Sequence, residues 1–222
     1  MNNIIKEYIN IPNFLTLIRI IAIIPFLIFL FLSFWQAKLI AFLIFIFASI
    51  TDLIDGWFAR KLNQKTKFGN FLDPLADKLF VAAALISLPF IEKGIFPFWM
   101  VVLILGREVL ITYLRAFAIS KQKEIETMKM GKTKTTFQLF SIAIILLLLV
   151  IKAYKIEKGY NFLLSEKSNY SIIEIVLNYF YDLKIFIAYT PKILIFLTML
   201  ITVYSGIYYI YKNRSLFFKN KK

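Results

Sequence analysis

Residues 39–60 read LIAFLIFIFASITDLIDGWFAR, an apolar run that closes on two aspartates, a glycine, an alanine and an arginine. A helix needs about 20 predominantly apolar residues to span a bilayer, and this run is long enough. On a helix turning about 100° per residue, Asp52, Asp55, Gly56, Ala59 and Arg60 fall within roughly 140° of one another. Two carboxylates, two small residues and an arginine therefore share one flank of a membrane helix. Gly69 follows, then Asp73-Pro74-Leu-Ala-Asp77-Lys78. Pro74 suits the first position of a helix, so Asp73 is expected to cap the next span, with Asp77 one turn further on the same side.

The rest of the chain repeats the apolar theme. Of its 222 residues 60% are hydrophobic, and the mean hydropathy is +0.73, well above a soluble domain at about 45–50% apolar. The runs predict an all-α, polytopic membrane protein with six transmembrane helices, at Leu15–Phe34, Lys38–Phe58, Pro74–Phe90, Ile95–Ile119, Thr135–Tyr154 and Pro191–Tyr211. Nothing before Asn13 reads as a cleavable signal, so the first run is expected to be a retained span. Neither a repeat nor a linker divides the chain, and residues 1–222 are read as a single domain. The longest connection, 155–190, contains Ser171–Phe186 (SIIEIVLNYFYDLKIF), which suits either a helix lying at the outer interface or a loop covering span ends.

Charge sets the orientation. The formal net charge is +14, which in a soluble protein would suggest nucleic acid. Here the lysines lie mostly in short segments between apolar runs, where they fix topology and meet anionic headgroups, arguing against a nucleic-acid partner. Lys61, Lys65, Lys67, Lys121, Lys123 and Lys212 belong to segments on one side, which is richer in cations than the side carrying Lys38, Lys93 and Lys152. Both termini and the aspartates are thus expected on the cytoplasmic side of a multi-pass cell (inner) membrane protein. With no cysteine and no histidine, disulfides, thiol chemistry, imidazole bases and Cys/His zinc sites are excluded.

Each site residue alone has an ordinary explanation. Asp73 can be a cap, Gly56 and Ala59 small residues at a helix contact, and Asp55 a partner for Arg60. Four aspartates together need more, since each costs about 2.5–3.5 kcal/mol at mid-bilayer, less near an interface. Divalent cations would neutralise them, and hard carboxylate oxygens suit magnesium, manganese or calcium. Four carboxylates suffice for two ions, and a metal pair can clamp a diphosphate and orient an attacking oxygen. Gly56 and Ala59 would let a nucleotide approach the backbone, and Arg60 offers a fork to phosphate.

The pattern Asp-x2-Asp-Gly-x2-Ala-Arg-x8-Gly-x3-Asp-x3-Asp is filled by Asp52, Asp55, Gly56, Ala59, Arg60, Gly69, Asp73 and Asp77. It resembles the signature of the CDP-alcohol phosphatidyltransferases, a family that six spans also fit. The resemblance implies that Asp52, Asp55, Asp73 and Asp77 hold two divalent metal ions, magnesium or manganese. It further implies that Asp77 is the proton acceptor and that Gly56, Ala59, Arg60 and Thr66 contact the CDP-lipid. Asn13, Thr16 and Arg19 either line the nucleotide pocket as well or form an interfacial anchor with a snorkelling arginine. A homodimer is also implied.

The acceptor alcohol is read elsewhere. The fourth span carries Gly106-Arg107-Glu108 and Arg115, and the next loop Gly131-Lys132-Thr133-Lys134-Thr135, with Gln138 beyond. Intramembrane arginines are expensive and usually face a cavity or a partner. Glu108 could neutralise Arg107, although adjacent helix positions point about 100° apart. Lys132 and Lys134 could be ordinary positive-inside residues. Four cations, Arg107, Arg115, Lys132 and Lys134, would suit an acceptor that itself carries a phosphate. With Asn13-Phe-Leu-Thr16-Leu-Ile-Arg19 and Tyr204-Ser205-Gly206, they resemble the branch of the family that joins CDP-diacylglycerol to sn-glycerol 3-phosphate, giving phosphatidylglycerophosphate and CMP. Inositol phosphate, serine and phosphatidylglycerol are rival acceptors. An ion transporter is the non-enzyme rival, but transporters place their sites near the midplane of repeated halves.

Overall fold

The computed structural model describes residues 11–61, 67–120, 129–164 and 184–214. They form helices throughout: α1 (Ile11–Phe31), α2 (Trp35–Lys61), α3 (Lys67–Ile91), α4 (Phe98–Ser120), α5 (Lys129–Leu164) and α6 (Lys184–Lys212). Helix α1 packs against α2 and α3, α2 against α5, α5 against α6 and α6 against α4, while α3 also meets α4 and α5. The bundle therefore closes as a ring.

Short turns set the alternation. Residues 32–34 join α1 to α2. Between α3 and α4, Gly94 sits at φ 92°, a left-handed conformation that suits glycine because no Cβ opposes it. The Ile95 amide donates to the Glu92 carbonyl at 3.2 Å, and the Met100 amide to the Pro97 carbonyl at 3.0 Å, starting α4. The starts of α1, α3 and α5 and the ends of α2, α4 and α6 thus gather at one end of the bundle. That end carries the aspartates.

Three phenylalanines tie α1, α2 and α3 together. Phe26 lies 6.2 Å from Phe45 and 5.2 Å from Phe80 by ring centroids, and Phe45 lies 5.8 Å from Phe80. Such pairs are worth about 0.5–1.5 kcal/mol beyond the area they bury. The cluster continues through Leu85 and Leu88 to Ile104, Ile142, Ile145 and Ile195 on the other helices. Ala37, Ala41, Ala48 and Ala84 are fully or almost fully buried. Small residues let backbones approach, and where lipid surrounds the helices this packing replaces the hydrophobic drive.

The outside is as apolar as the inside. Ile21, Ile24 and Ile28 on α1 and Tyr204, Ile207 and Tyr211 on α6 form outward stripes, each residue more than half exposed. Continuous apolar faces of this extent mark a lipid or protein surround. Among the described residues, Thr133–Lys158 and Tyr189–Lys212 are long and apolar enough to cross a membrane. The chain is a membrane protein whose described secondary structure is all helical.

Helix boundaries depart from the sequence expectation in three places. Helix α3 starts at Lys67, so Asp73 and Pro74 stand in its second turn and Asp73 does not cap it. A proline past the first turn forfeits the bond its amide would have made to the carbonyl of Asn70 and crowds that carbonyl as well. Helix α5 runs for 36 residues, about 54 Å at 1.5 Å per residue, far more than a hydrocarbon core of about 30 Å. Helix α6 begins at Lys184 with Pro191 inside it. The 155–190 connection is accordingly helical over 155–164 and 184–190. Of Ser171–Phe186, only the residues that open α6 belong to the described part.

Candidate active site

The last turns of α2 carry Asp52, Asp55, Gly56, Ala59 and Arg60, and the first three turns of α3 carry Gly69, Asp73 and Asp77. Because both stretches are helical, Asp52 and Asp55 stand about 60° apart on their helix, and Asp73 and Asp77 about 40° apart on theirs. The link over 62–66 keeps the two helix ends within roughly 20 Å of each other. Thr66 lies in that link, outside the described residues.

The phenylalanine triangle fixes which faces meet. Seven residues make two helical turns, about 10 Å, and return to nearly the same face. Position 52 is seven beyond Phe45, and position 73 is seven before Phe80. Arg19 is likewise seven before Phe26. Helical register therefore sets positions 19, 52 and 73 two turns from the triangle, towards the aspartate end, each in line with its own phenylalanine. The triangle is a dry apolar floor. Just at its edge, Thr51 donates its hydroxyl to the Phe47 carbonyl at 2.7 Å, and Ser49 to that of Phe45 at 2.9 Å. Both hydroxyls are satisfied by their own helix.

On α1, Asn13 stands in the first turn, and Thr16 and Arg19 are buried, with 0% and 3% of their surface exposed. A snorkelling arginine would reach the headgroups, so burial places Arg19 inside the bundle instead. That placement favours a role inside the bundle over an interfacial anchor.

A second polar cluster joins α4, α5 and α6. Arg107 donates from Nη2 to Ser205 Oγ at 2.7 Å, and its Nη1 stands 3.9 Å from Glu108 Oε2. The other carboxylate oxygen of Glu108 pairs with Lys134 Nζ of α5. Lys134 is only 4% exposed, and Gln138, one turn on, is 3% exposed. A lysine that merely set topology would face water, so Lys134 is not an ordinary positive-inside residue. Glu108, read from sequence as a possible neutraliser of Arg107, gives its principal contact to Lys134. Arg115 lies two turns beyond Arg107 and is exposed, and Lys132 stands in the first turn of α5.

The two clusters are stitched together beside Asp77. Lys78 Nζ donates to Thr112 Oγ1 on α4 at 2.6 Å, and that hydroxyl donates to the Glu108 carbonyl at 2.7 Å. Sequence reasoning assigned no role to Lys78, Thr112 or the Glu108–Lys134 pair. Their signal is weak because each partner sits on a different helix.

A profile of the family described as CDP-alcohol phosphatidyltransferase matches residues 9–180, which takes in the aspartate helices and the cations of α4 and α5. The chain belongs to the CDP-alcohol phosphatidyltransferase family. Among its relatives is the CDP-diacylglycerol–glycerol-3-phosphate 3-phosphatidyltransferase of Bacillus subtilis, 41% identical over 150 residues, covering 62% of this chain and 77% of the relative. Proteins of the same name from Rickettsia bellii and Pectobacterium atrosepticum are similar at 39% over 138 residues and 41% over 140 residues. These alignments cover 62% and 60% of this chain and 75% and 74% of the relatives. Members of the CDP-alcohol phosphatidyltransferase family are generally metal-dependent. The donor set fits that dependence, since four carboxylates with no imidazole or thiolate in the chain suit a hard divalent cation.

Proposed function

We infer that this chain transfers the phosphatidyl group of CDP-diacylglycerol to sn-glycerol 3-phosphate, giving phosphatidylglycerophosphate and CMP for phospholipid synthesis. Identity of about 40% to relatives bearing that enzyme name carries the inference. A buried cationic cluster stitched to the aspartate helix supports it independently. The substrates divide between the clusters. Gly56, Ala59, Arg60 and Thr66, with Asn13 and Thr16, receive the CDP-lipid, and Arg107, Arg115, Lys132 and Lys134 receive the acceptor phosphate.

Asp52, Asp55, Asp73 and Asp77 would hold two divalent ions, magnesium or manganese, which when bound supply charge neutralisation for the diphosphate. Asp77 takes the proton from the acceptor hydroxyl as its oxygen attacks the phosphorus bearing diacylglycerol. The bond from that phosphorus to the bridging oxygen breaks, and CMP leaves with the oxygen. Arg60 holds the diphosphate, while Arg107 and Lys134 hold the acceptor phosphate so that its free hydroxyl faces the reacting phosphorus. The phenylalanine floor keeps that volume dry on its membrane side.

Six spans, a single domain over residues 1–222 and a cytoplasmic aspartate end complete the proposal, with a homodimer in the cell membrane as the family likeness implies. Purified protein given CDP-diacylglycerol should release CMP with glycerol 3-phosphate and far less with glycerol, serine or inositol phosphate. Comparable release with glycerol would remove the acceptor assignment. For orientation, a cysteine at Gln64 should react with an impermeant thiol reagent only in opened cells, and one at Ser168 in intact cells. The reverse pattern would invert the topology.

A further inference from the structure

Of the motifs picked out in the sequence, Tyr204-Ser205-Gly206 on α6 has no part in the chemistry above. It lies 98 residues from Arg107 in the chain, and the two are in direct contact. Ser205 is 4% exposed. Its hydroxyl donates to the Thr202 carbonyl at 3.2 Å, which turns the oxygen's lone pairs towards Arg107. Arg107 Nη2 donates into that oxygen at 2.7 Å. The serine thus acts as an oriented acceptor, with its own proton already committed.

Gly206 shapes the other half of the seat. A Cβ at this position would stand 2.9 Å from Arg107 Cγ and 3.0 Å from Arg107 Nε. The arginine stem therefore lies flat against the bare backbone of α6, closer than any other residue type at 206 would allow. Crowding there would fall on Cγ, near the root of the side chain, so the whole guanidinium would have to swing. Arg107 Nε is itself buried and has no hydrogen-bond partner among the described residues. With Nη2 held by Ser205, Nη1 facing Glu108 and Nε packed on Gly206, the guanidinium is fixed in one orientation.

We propose that Ser205 and Gly206 are positioning residues for the acceptor: together they mould one face of α6 to Arg107 and hold its guanidinium in the orientation that receives the acceptor phosphate. The proposal rests on glycerol 3-phosphate being the acceptor. In the division of substrates proposed above neither residue belongs to the CDP-lipid side, so their effect should fall on one substrate. A displacement of about 1 Å at a positioned group can cost on the order of 100-fold in rate, and a lost hydrogen bond to a charged group roughly 10- to 150-fold.

The test is a set of steady-state measurements on purified full-length protein in detergent micelles with CDP-diacylglycerol and glycerol 3-phosphate. Gly206→Ala should lower kcat/KM for glycerol 3-phosphate at least about 10-fold, with KM for CDP-diacylglycerol and the metal requirement within about twofold of wild type. Ser205→Ala should lose roughly 10-fold on the same parameter, and Ser205→Thr, which keeps the hydroxyl, should recover most of it. In an Arg107→Lys background the longer guanidinium is gone, so Gly206→Ala should add less than about twofold, since the two residues act as a unit. Equal losses on both substrates, no rescue by threonine, or a full further loss in the Arg107→Lys background would each overturn the positioning role. Should Gly206→Ala fail to fold, the Ser205 pair and its rescue decide alone. A wild type active on glycerol 3-phosphate beside unaffected variants sinks this inference and leaves the function standing. A wild type that ignores glycerol 3-phosphate sinks both.

Discussion

The bundle carries an ion pair at each end, and the two are built differently. Away from the aspartates, Lys152 of α5 reaches both oxygens of Glu92 at 2.7 Å and 2.7 Å, with the lysine side chain 42% exposed. Trp35 and Tyr154 meet edge to face beside it, 5.2 Å apart, as aromatic residues do in an interfacial belt. At the aspartate end, Lys134 shares one oxygen of Glu108 and is 4% exposed, and the second oxygen stands 3.9 Å from Arg107. The first pair is closed and half in solvent. The second is more deeply buried and is shared, with one carboxylate standing between an ammonium and a guanidinium. Identical residue types thus make a half-exposed surface tie in one place and a buried, shared cluster in the other, where we propose that the acceptor phosphate binds.

The comparison breaks most visibly at Asp77. Asp77→Asn should leave a folded, detergent-stable protein and remove nearly all turnover, whereas no single substitution at the opposite end should do so. A variant retaining more than a modest fraction of CMP release would end the proton-acceptor role. Asp52→Asn, Asp55→Asn and Asp73→Asn should raise the magnesium or manganese concentration needed for half-maximal rate. An unchanged metal titration in all three would end the ligand assignment.

Arg107→Gln comes next. Losing a charge-assisted contact to phosphate should cost about 1.5–3 kcal/mol, or roughly 10- to 150-fold in kcat/KM for glycerol 3-phosphate. Arg60→Gln should show the opposite preference, falling on CDP-diacylglycerol. Lys134→Gln should act on stability as well, because it strands a half-buried carboxylate. Breaking a buried pair from one side costs about 3–5 kcal/mol, and the partial exposure of Glu108 at 23% argues for the lower figure. A melting temperature equal to wild type would mean that the pair is no more structural than its counterpart at the far end.

The sequence made the aspartate end legible because its meaning is local. Asp52, Asp55, Asp73 and Asp77 lie within one hairpin, where helical periodicity alone sorts residues onto faces. The Glu108–Lys134 contact was not legible for the opposite reason: Lys134 lies 26 residues on, while Arg107, 3.9 Å away, is the immediate neighbour, and only the packing of α5 on α4 brings the lysine in. Helix ends were misjudged for a related reason. Hydropathy reports where lipid begins, but a helix continues while its backbone bonds are satisfied, so α5 runs ten residues past the expected end at Tyr154 to Leu164. Asp73-Pro74 looked like a helix start, and the first turn of α3 precedes it. Local caps are overridden when tertiary contacts reward extending the helix.

The smallest effect should come from Glu92→Gln. Exposed ion pairs contribute about 0–1 kcal/mol because solvent screens them and ordering a long lysine costs entropy. Glu92 is less exposed than its partner, at 18%, which places the expected loss near the top of that range. The stability difference between wild type and variant should shrink as salt rises, since a Debye length falls from about 10 Å at 0.1 M to about 3 Å at 1 M. No kinetic parameter should change for either substrate. The site gathers where α1, α3 and α5 begin, and Glu92 lies beyond the last residue of α3, on the far side of the phenylalanine floor. Lys38, whose Nζ donates to the Leu30 carbonyl at 2.7 Å, sits near enough to Glu92 and Lys152 to share in the same local field. Neutralising the glutamate would leave two cations facing each other there. A loss of stability well above 1 kcal/mol would therefore point to that repulsion. A change in kcat/KM for glycerol 3-phosphate would mean that the two ends are mechanically coupled through α5, the helix that carries both Lys134 and Lys152.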